Sequence, residues 1–389
     1  MAGVVAVPSS RAAVRRALIY ERGVSRSIGF VLVPVVLLIV VGLGALLSAS
    51  SVVGLRESGD GLFYFKRQVV WLVGGVVAMV IAALIPLRWW RRMSFPLFVG
   101  SVALLAAVVA FGVRANGATR WLIIGPVSVQ PSEIAKLTTV LFLATLVSRR
   151  EHHMDRPWAF LWPLLCSVGL VGALVMVQPD LGTTLLVSAG GFAIVLASAA
   201  PLGLVLGSAV AGSCVAFVLA YSSPYRWARI TGFLDLQSDP LGNSYQAVQS
   251  LVALGTGGMW GVGLGASRAR WSFLPNAHTD FVFAILGEET GLAGSLSVIA
   301  LFAVFTVAGL AIARRCTDRF GRLVAVGITT WLSVQAIVNI GGVTGILPIT
   351  GVPLPFVSFG GSALVISLVA VGVLVSVARH PVEFEVAAR

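Results

Sequence analysis

Long uncharged apolar runs alternate with short basic breaks along almost the whole chain. A helix rises 1.5 Å per residue, so about 20 apolar residues cross a hydrocarbon core of ~30 Å. By that measure the pattern predicts ten spans, over 28–47, 69–87, 94–113, 133–148, 160–178, 181–199, 202–221, 281–313, 323–345 and 361–378. The fourth is short and carries Glu133 and Lys136. The eighth would be roughly 50 Å long as an unbroken helix, so it must tilt, protrude or break. Gly287, Gly291 and Gly294 are the places where it can break. The expected fold class is all-α, a polytopic integral membrane protein of about ten transmembrane helices. The expected organisation is a tail over 1–27, a transmembrane domain over 28–379 and a second tail over 380–389. There is no internal repeat of the kind that marks inverted-repeat transporters.

Composition supports this reading. Of 389 residues, 58% are apolar and 11% charged, and the mean hydropathy is +0.97. So few charges cannot cover a water-soluble fold, and so apolar a chain is not disordered. The first apolar run follows a 27-residue Arg-bearing tail and is too long for the core of a cleaved signal peptide, so it reads as a span. The net charge of +12 does not point to nucleic acid, because no basic stripe with interleaved aromatics accompanies it. It reports orientation instead. With ten spans, 17 basic residues fall on the side of the termini and 9 on the other, so both termini are expected in the cytoplasm. Cys166, Cys214 and Cys316 form no metal or disulfide pattern.

The longest external segment, 222–280, contains Arg226, Arg229, Arg268 and Arg270. Its stretch Asn243–Leu254 reads as an amphipathic helix capped by Ser244. Long loops in compact proteins are usually functional, so an external chemical or binding site is expected there.

Five acids occupy membrane positions, where charge is costly and usually functional. Glu133 follows Pro131 and Ser132 and shares a helix face with Lys136, which suits a capped helix start with an internal ion pair, or a substrate contact. Asp180, in Q-P-D-L-G-T, reads as the cap of the next helix. Asp280 lies beside His278 at the rim of the eighth span, where it suits either an N-cap or first-turn helix acid or a general base. Glu288 and Glu289 sit about 80° and 180° around the helix from Asp280, and a buried pair with Arg or backbone partners explains them. Two further stretches read as walls of a site or as re-entrant loops. Ile346–Ser362, with Ser358, is apolar yet Pro- and Gly-rich, and such backbone at membrane depth must line protein or a cavity. Asn116–Gln130 carries Arg120 and Trp121, suited to a phosphate and a sugar face.

These stretches together are recognisable. N-G-A-T-R-W-L, Q-P-S-E-I-A-K-L, Q-P-D-L-G-T, Y-Q-A-V-Q-S, L-P-N-A-H-T-D-F-V-F-A-I-L-G-E-E-T-G and G-V-P-L-P-F-V-S-F-G-G-S stand in this order between about 116 and 362. The chain thereby resembles the SEDS family (shape, elongation, division and sporulation), which includes FtsW and RodA. G-L-G-A-S-R-A-R-W and Ala277 before H-T-D are similar to the division-type FtsW branch, with a RodA-like elongation polymerase as the alternative. Phe359 stands where the family often has Tyr, and the first 27 residues match nothing in it.

The resemblance implies a peptidoglycan glycosyltransferase that polymerises lipid II outside the cytoplasmic membrane, at the septum in the FtsW case. It implies a class B penicillin-binding protein, the transpeptidase, as partner, beside other division proteins and membrane lipids. It places the essential carboxylate on Asp280. A base there would take the acceptor hydroxyl's proton, while arginines stabilise the pyrophosphate leaving group. Arg120, Trp121, Arg226, Arg229, Arg268, Arg270, His278 and Ser358 are the candidate substrate contacts. Glu133, Lys136, Asp180, Glu288 and Glu289 are structural or relay groups. The expected cofactor is none, or a divalent cation (Mg or Mn) at the pyrophosphate, although the sequence holds no dedicated metal cage. Two other readings remain, a lipid II flippase with the buried charges as its relay, and a non-catalytic scaffold for the transpeptidase.

Overall fold

A computed structural model describes residues 11–115, 118–125, 127–150, 157–198, 200–235, 242, 244–271, 274 and 278–379. Nine helices among them are long and apolar enough to cross a membrane. They are α1 (Arg11–Ser58, its spanning part Arg26–Ser58), α2 (Phe63–Leu84), α3 (Leu87–Phe111), α4 (Pro131–Arg149), α5 (Pro157–Val177), α7 (Leu202–Tyr221), α10 (Val282–Arg315), α11 (Arg319–Val343) and α12 (Gly361–Arg379). A tenth apolar helix, α6 (Leu181–Ala197), has 17 residues, which is about 25 Å. All ten expected segments are therefore helical. The helix of the first begins at Arg11, well before the apolar run at 28.

The centre of the bundle is α4 and α11, with α10 and α12 packed around them. Helix α4 is buried on nearly every face, so its residues show no apolar stripe. Helix α7 is the reverse: only Val205 and Ala220 are buried, and its apolar side chains point outward, as lipid-facing residues do.

Two features depart from the sequence reading. Residues 113–129 are not irregular wall but a three-stranded antiparallel sheet, β1 (Val113–Ala115), β2 (Ala118–Ile124) and β3 (Val127–Val129). The β-branched and aromatic run A-T-R-W-L-I-I suits a strand, and Gly125, at φ 62, turns it back so that Leu122 faces Val129. The sheet is tied to the start of α12: Gln130 N donates to Ser362 Oγ at 3.2 Å, and Ser362 Oγ donates to Ser128 O at 3.2 Å. The external loop holds the expected amphipathic helix, α9 (Tyr245–Gly257), and departs from the sequence reading in a second helix before it, α8 (Pro224–Leu234). Ser244 stands at the N-cap of α9, but its hydroxyl makes no cap bond and donates to Gly232 O instead.

The eighth span breaks at Gly291, at φ 69 and ψ −165. A broken helix in a membrane must have its freed backbone groups satisfied by protein. The stretch after α9 does this. Val262 N and Gly263 N donate to the carbonyls of Glu288 and Glu289, and Leu292 N and Ala293 N donate to those of Gly258 and Met259. The backbones approach so closely that a Cβ on Gly261 would lie 2.1 Å from Glu289 O, and Gly261 is itself at φ 81. Gly261→Ala is therefore expected to lower stability by about 2–4 kcal/mol, read as a fall in the unfolding temperature of the purified protein. An unchanged midpoint would mean that the loop does not complete the ladder.

Candidate active site

Asp280 lies in a tight turn, 278–281, immediately before α10. It does not cap that helix: Phe281 is the N-cap residue, with no side-chain cap bond. The turn is held by its backbone. Asn339 of α11 donates through Nδ2 to Asp280 O and to Val352 O, both at 2.8 Å, and Phe359 N donates to His278 O at 3.1 Å. Asp280 is thereby set against the 346–360 segment. A Cβ on Gly351, which is at φ 72, would lie 3.6 Å from Asp280 Oδ2 and 3.9 Å from Arg229 Nη1. Both are ordinary contact distances, so it is the left-handed φ that favours glycine here, and the position lies between carboxylate and guanidinium.

Arg229 comes from α8 and donates to Ile349 O at 3.4 Å. Arg120 comes from β2 and grips the turn before α6, donating through Nε to Gln178 O at 3.1 Å and through Nη2 to Pro179 O. Asp180 closes that turn as the cap of α6, its Oδ1 accepting from Thr183 N at 3.0 Å, as the sequence suggested. Burial pushes the Asp280 carboxyl up to about 6; Arg229 and Arg120 pull it down, Asp180 adds to the rise, and a bond from Thr279 opposes it. A carboxylate poised there is ionised at neutral pH yet basic enough to accept a proton in a reaction. Burial lowers the His278 imidazole from its ordinary value, with Glu57 acting the other way.

The 346–360 segment is non-helical, apolar backbone, and beside Arg229 of α8 its side-chain donors come from α11 and α2. Gln335 Nε2 of α11 donates to Pro353 O at 2.9 Å, Asn339 to Val352 O, and Gln68 Nε2 of α2 to Ser358 O at 3.2 Å. Gln68 Oε1 also accepts from Gly360 N at 3.3 Å. Ser358 is used within the segment, its Oγ accepting from Leu354 N at 3.0 Å. Behind the segment lies a buried network. Lys136 Nζ pairs with Glu133 Oε2 at 2.8 Å, donates to Gln335 Oε1 at 3.0 Å and sits 5.1 Å from the Trp331 ring centroid. Glu133 forms the expected pair but makes no side-chain cap; the cap position of α4 is Gln130, whose side chain makes no cap bond and donates through Nε2 to Ser132 Oγ at 3.1 Å.

Other expected site residues lie elsewhere. Arg226 Nη1 donates to Leu219 O at 2.5 Å and so closes the end of α7. Trp121 neighbours Arg120 on β2 and faces Val113 of β1 in the sheet register. Glu288 holds the returning part of the external loop: it accepts from Ser267 Oγ at 2.5 Å, Arg268 N at 3.1 Å and Ala269 N at 3.2 Å. The Arg268 side chain is exposed, and that of Arg270 lies outside the described residues. Glu289 accepts from Ser48 of α1. The acids of the relay reading thus close on separate local partners, and Glu288 takes backbone rather than Arg partners. Among the described residues no three His, Cys, Asp or Glu side chains are grouped to hold a metal. Asp280 and Asp180 share their surroundings with two arginines, which is no dedicated cage.

Sequence reasoning passed over Asn339, Gln335, Gln68, Tyr64 and Gly351. The first three carried a signal, since a lone amide in an apolar span must find partners.

Residues 30–383 match the cell cycle protein family of FtsW, RodA and SpoVE. A protein of Geobacter sp. (strain M18) named probable peptidoglycan glycosyltransferase FtsW is 36% identical over 355 residues, covering 90% of this chain and 96% of that protein. Stage V sporulation protein E of Bacillus subtilis (strain 168) is 38% identical over 346 residues, covering 88% and 94%. Among solved structures, a chain of a peptidoglycan synthase complex that coordinates polymerization and crosslinking superposes with a TM-score of 0.73 at 29% identity, covering 90% and 96%. The rod shape determining protein RodA of Thermus thermophilus gives 0.67 at 28% identity, covering 90% and 96%.

Proposed function

Because this chain belongs to the FtsW, RodA and SpoVE family of cell cycle proteins, we infer that it is a peptidoglycan glycosyltransferase of the FtsW type, a multi-pass membrane enzyme that joins lipid II into glycan strands. The observation that carries the chemistry is a single raised carboxyl, Asp280, with Gly351 lying between it and Arg229. In this reading Asp280 takes the proton of the acceptor sugar's 4-hydroxyl as that oxygen attacks the anomeric carbon of the growing strand. The bond from that carbon to the phosphate oxygen breaks, and undecaprenyl pyrophosphate leaves with the electron pair. Arg229 and Arg120 stabilise the charge that develops on it. General base help of this kind contributes typically 100- to 10,000-fold.

The enzyme works on the outer face of the cytoplasmic membrane, at the division septum, with both termini in the cytoplasm. Its partner is a class B penicillin-binding protein, which crosslinks what this chain polymerises. The placement in a peptidoglycan synthase complex of a structural relative supports that pairing. The test uses the purified complex with labelled lipid II, wild type beside Asp280→Ala, on a gel that resolves glycan strands. A ladder from wild type alone is expected. A ladder of equal strength from the folded variant would remove Asp280 from the reaction, and none from either would return the scaffold and flippase readings.

A further inference from the structure

The turn that carries Asp280 is held from α11 by Asn339, but its other side rests on α2. Tyr64 of α2 packs on the His278 ring with centroids 4.8 Å apart and on Phe359 at 5.1 Å. His278 and Phe359 lie 5.9 Å apart, so the three rings form one cluster across two separate segments. Among the described residues the buried Nδ1 of His278 has no hydrogen-bond partner, and its ring packs against Tyr64 and Phe359. One turn further along the same face of α2, Gln68 clamps both sides of Phe359 through Ser358 O and Gly360 N. The face continues to Trp71, against which Gly361 is packed so tightly that a Cβ would lie 2.2 Å from the ring. Helix α2 therefore reads the 278–280 turn and the 358–361 segment with one row of side chains.

We propose that Tyr64 and Gln68 are positioning residues for Asp280, holding the turn 278–280 and the segment 358–360 in mutual register without touching substrate. The consequence is specific. The surroundings of Asp280 depend on how tightly these two segments close. The charges that reach it are Arg229 from α8, Arg120 from β2 and Asp180 from the turn before α6, with His278 in its own turn. None of these comes from α2, so loosening the α2 contact changes the carboxylate through water entry rather than through a lost charge. The ring of Tyr64 is the working part; its hydroxyl bonds outward to Glu57.

The inference rests on the assignment of Asp280 as the base, and its test is arranged to separate the two. Labelling of Asp280 by a water-soluble carbodiimide, read by mass spectrometry across pH, reports the carboxyl's titration with no lipid II present. Polymerisation rates against lipid II concentration report turnover and KM. Tyr64→Leu is expected to shift the labelling midpoint from about 6 toward the ordinary carboxyl value by half a pH unit or more. It is expected to lower kcat roughly tenfold with KM nearly unchanged, as misplaced reacting groups do. Tyr64→Phe keeps the ring and should keep both values. Gln68→Met, which preserves volume, should follow Tyr64→Leu and serves if that variant does not insert. A midpoint and kcat that stay at wild-type values in both Tyr64→Leu and Gln68→Met would overturn the proposal. So would a kcat loss with an unmoved midpoint, which is general damage to the fold. If wild type makes no polymer, the polymerase reading fails while the labelling shift still decides this one.

Discussion

Asp280→Asn is expected to abolish polymerisation and to make the protein more stable at neutral pH. The first effect should be at least 100-fold, because an amide cannot accept the hydroxyl proton. The second follows from the carboxyl's raised position. Its folded value is about 6 against 3.8 ordinarily, with burial as the main cause. A carboxyl raised in the folded state favours folding most when protonated, so its contribution is complete below pH ~4 and is lost as pH rises to ~6. Above that the native protein carries a charge it disfavours by about 1–3 kcal/mol, the range allowing for the solvent that reaches a half-buried group. Asparagine carries no such charge. Unfolding in detergent at pH 8 should therefore show the variant above wild type, with the gap closing near pH 4. A gap that is constant with pH would show that the carboxyl is not desolvated. Activity of the wild type has the opposite dependence: it should fall as pH drops through about 6, where the base becomes protonated.

Lys136→Met should produce the largest loss of stability. The ammonium is buried with Glu133, Gln335 and Trp331 as its partners. Removing it leaves the Glu133 carboxylate in the centre of the bundle without its counter-charge and takes one of two donors from Gln335 Oε1, and breaking a buried pair this way costs about 3–5 kcal/mol. The effect should spread to the site. Gln335 also receives the Trp331 indole N–H and donates to Pro353 O, so a displaced Gln335 releases the wall behind Asp280. The double variant Lys136→Met with Glu133→Gln removes the stranded charge and should recover most of the lost stability. If Lys136→Met alone unfolds at the wild-type temperature, the pair does not organise the bundle core.

Both sites were partly legible in the sequence, and the limits have physical causes. The ten helices follow from apolar length, and the break in the eighth from its excess length together with Gly291. Asp180 declared itself as a cap because the cap bond is local, from Thr183 N three residues on. The partners of Glu288 were not legible, since a carboxylate that accepts from the backbone of 268 and 269 is paired by the path of a loop and not by residue type. The sheet at 113–129 was missed because its run is apolar and short, and periodicity does not separate such a strand from irregular chain. Asp280 could be chosen among five acids only with help from resemblance. Its distinguishing surroundings, Arg229, Arg120, Asn339 and Gly351, are spread from 120 to 351 and meet only in the folded bundle.

That spread governs when the enzyme comes into being during synthesis. The chain that completes the broken eighth helix is made before it: Val262 and Gly263 precede Glu288 and Glu289 by 26 residues, so that repair is ready as the helix enters the bilayer. The turn of Asp280 is different. Asn339, Gly351 and Phe359, which fix and face it, follow it by 59 to 79 residues. A chain arrested before its last two helices have inserted carries the carboxylate with Arg120 and Arg229, but not the segments that fix and face it. A chain that ends before α11 is therefore expected to make no polymer from labelled lipid II, with activity beginning only once both helices are in place.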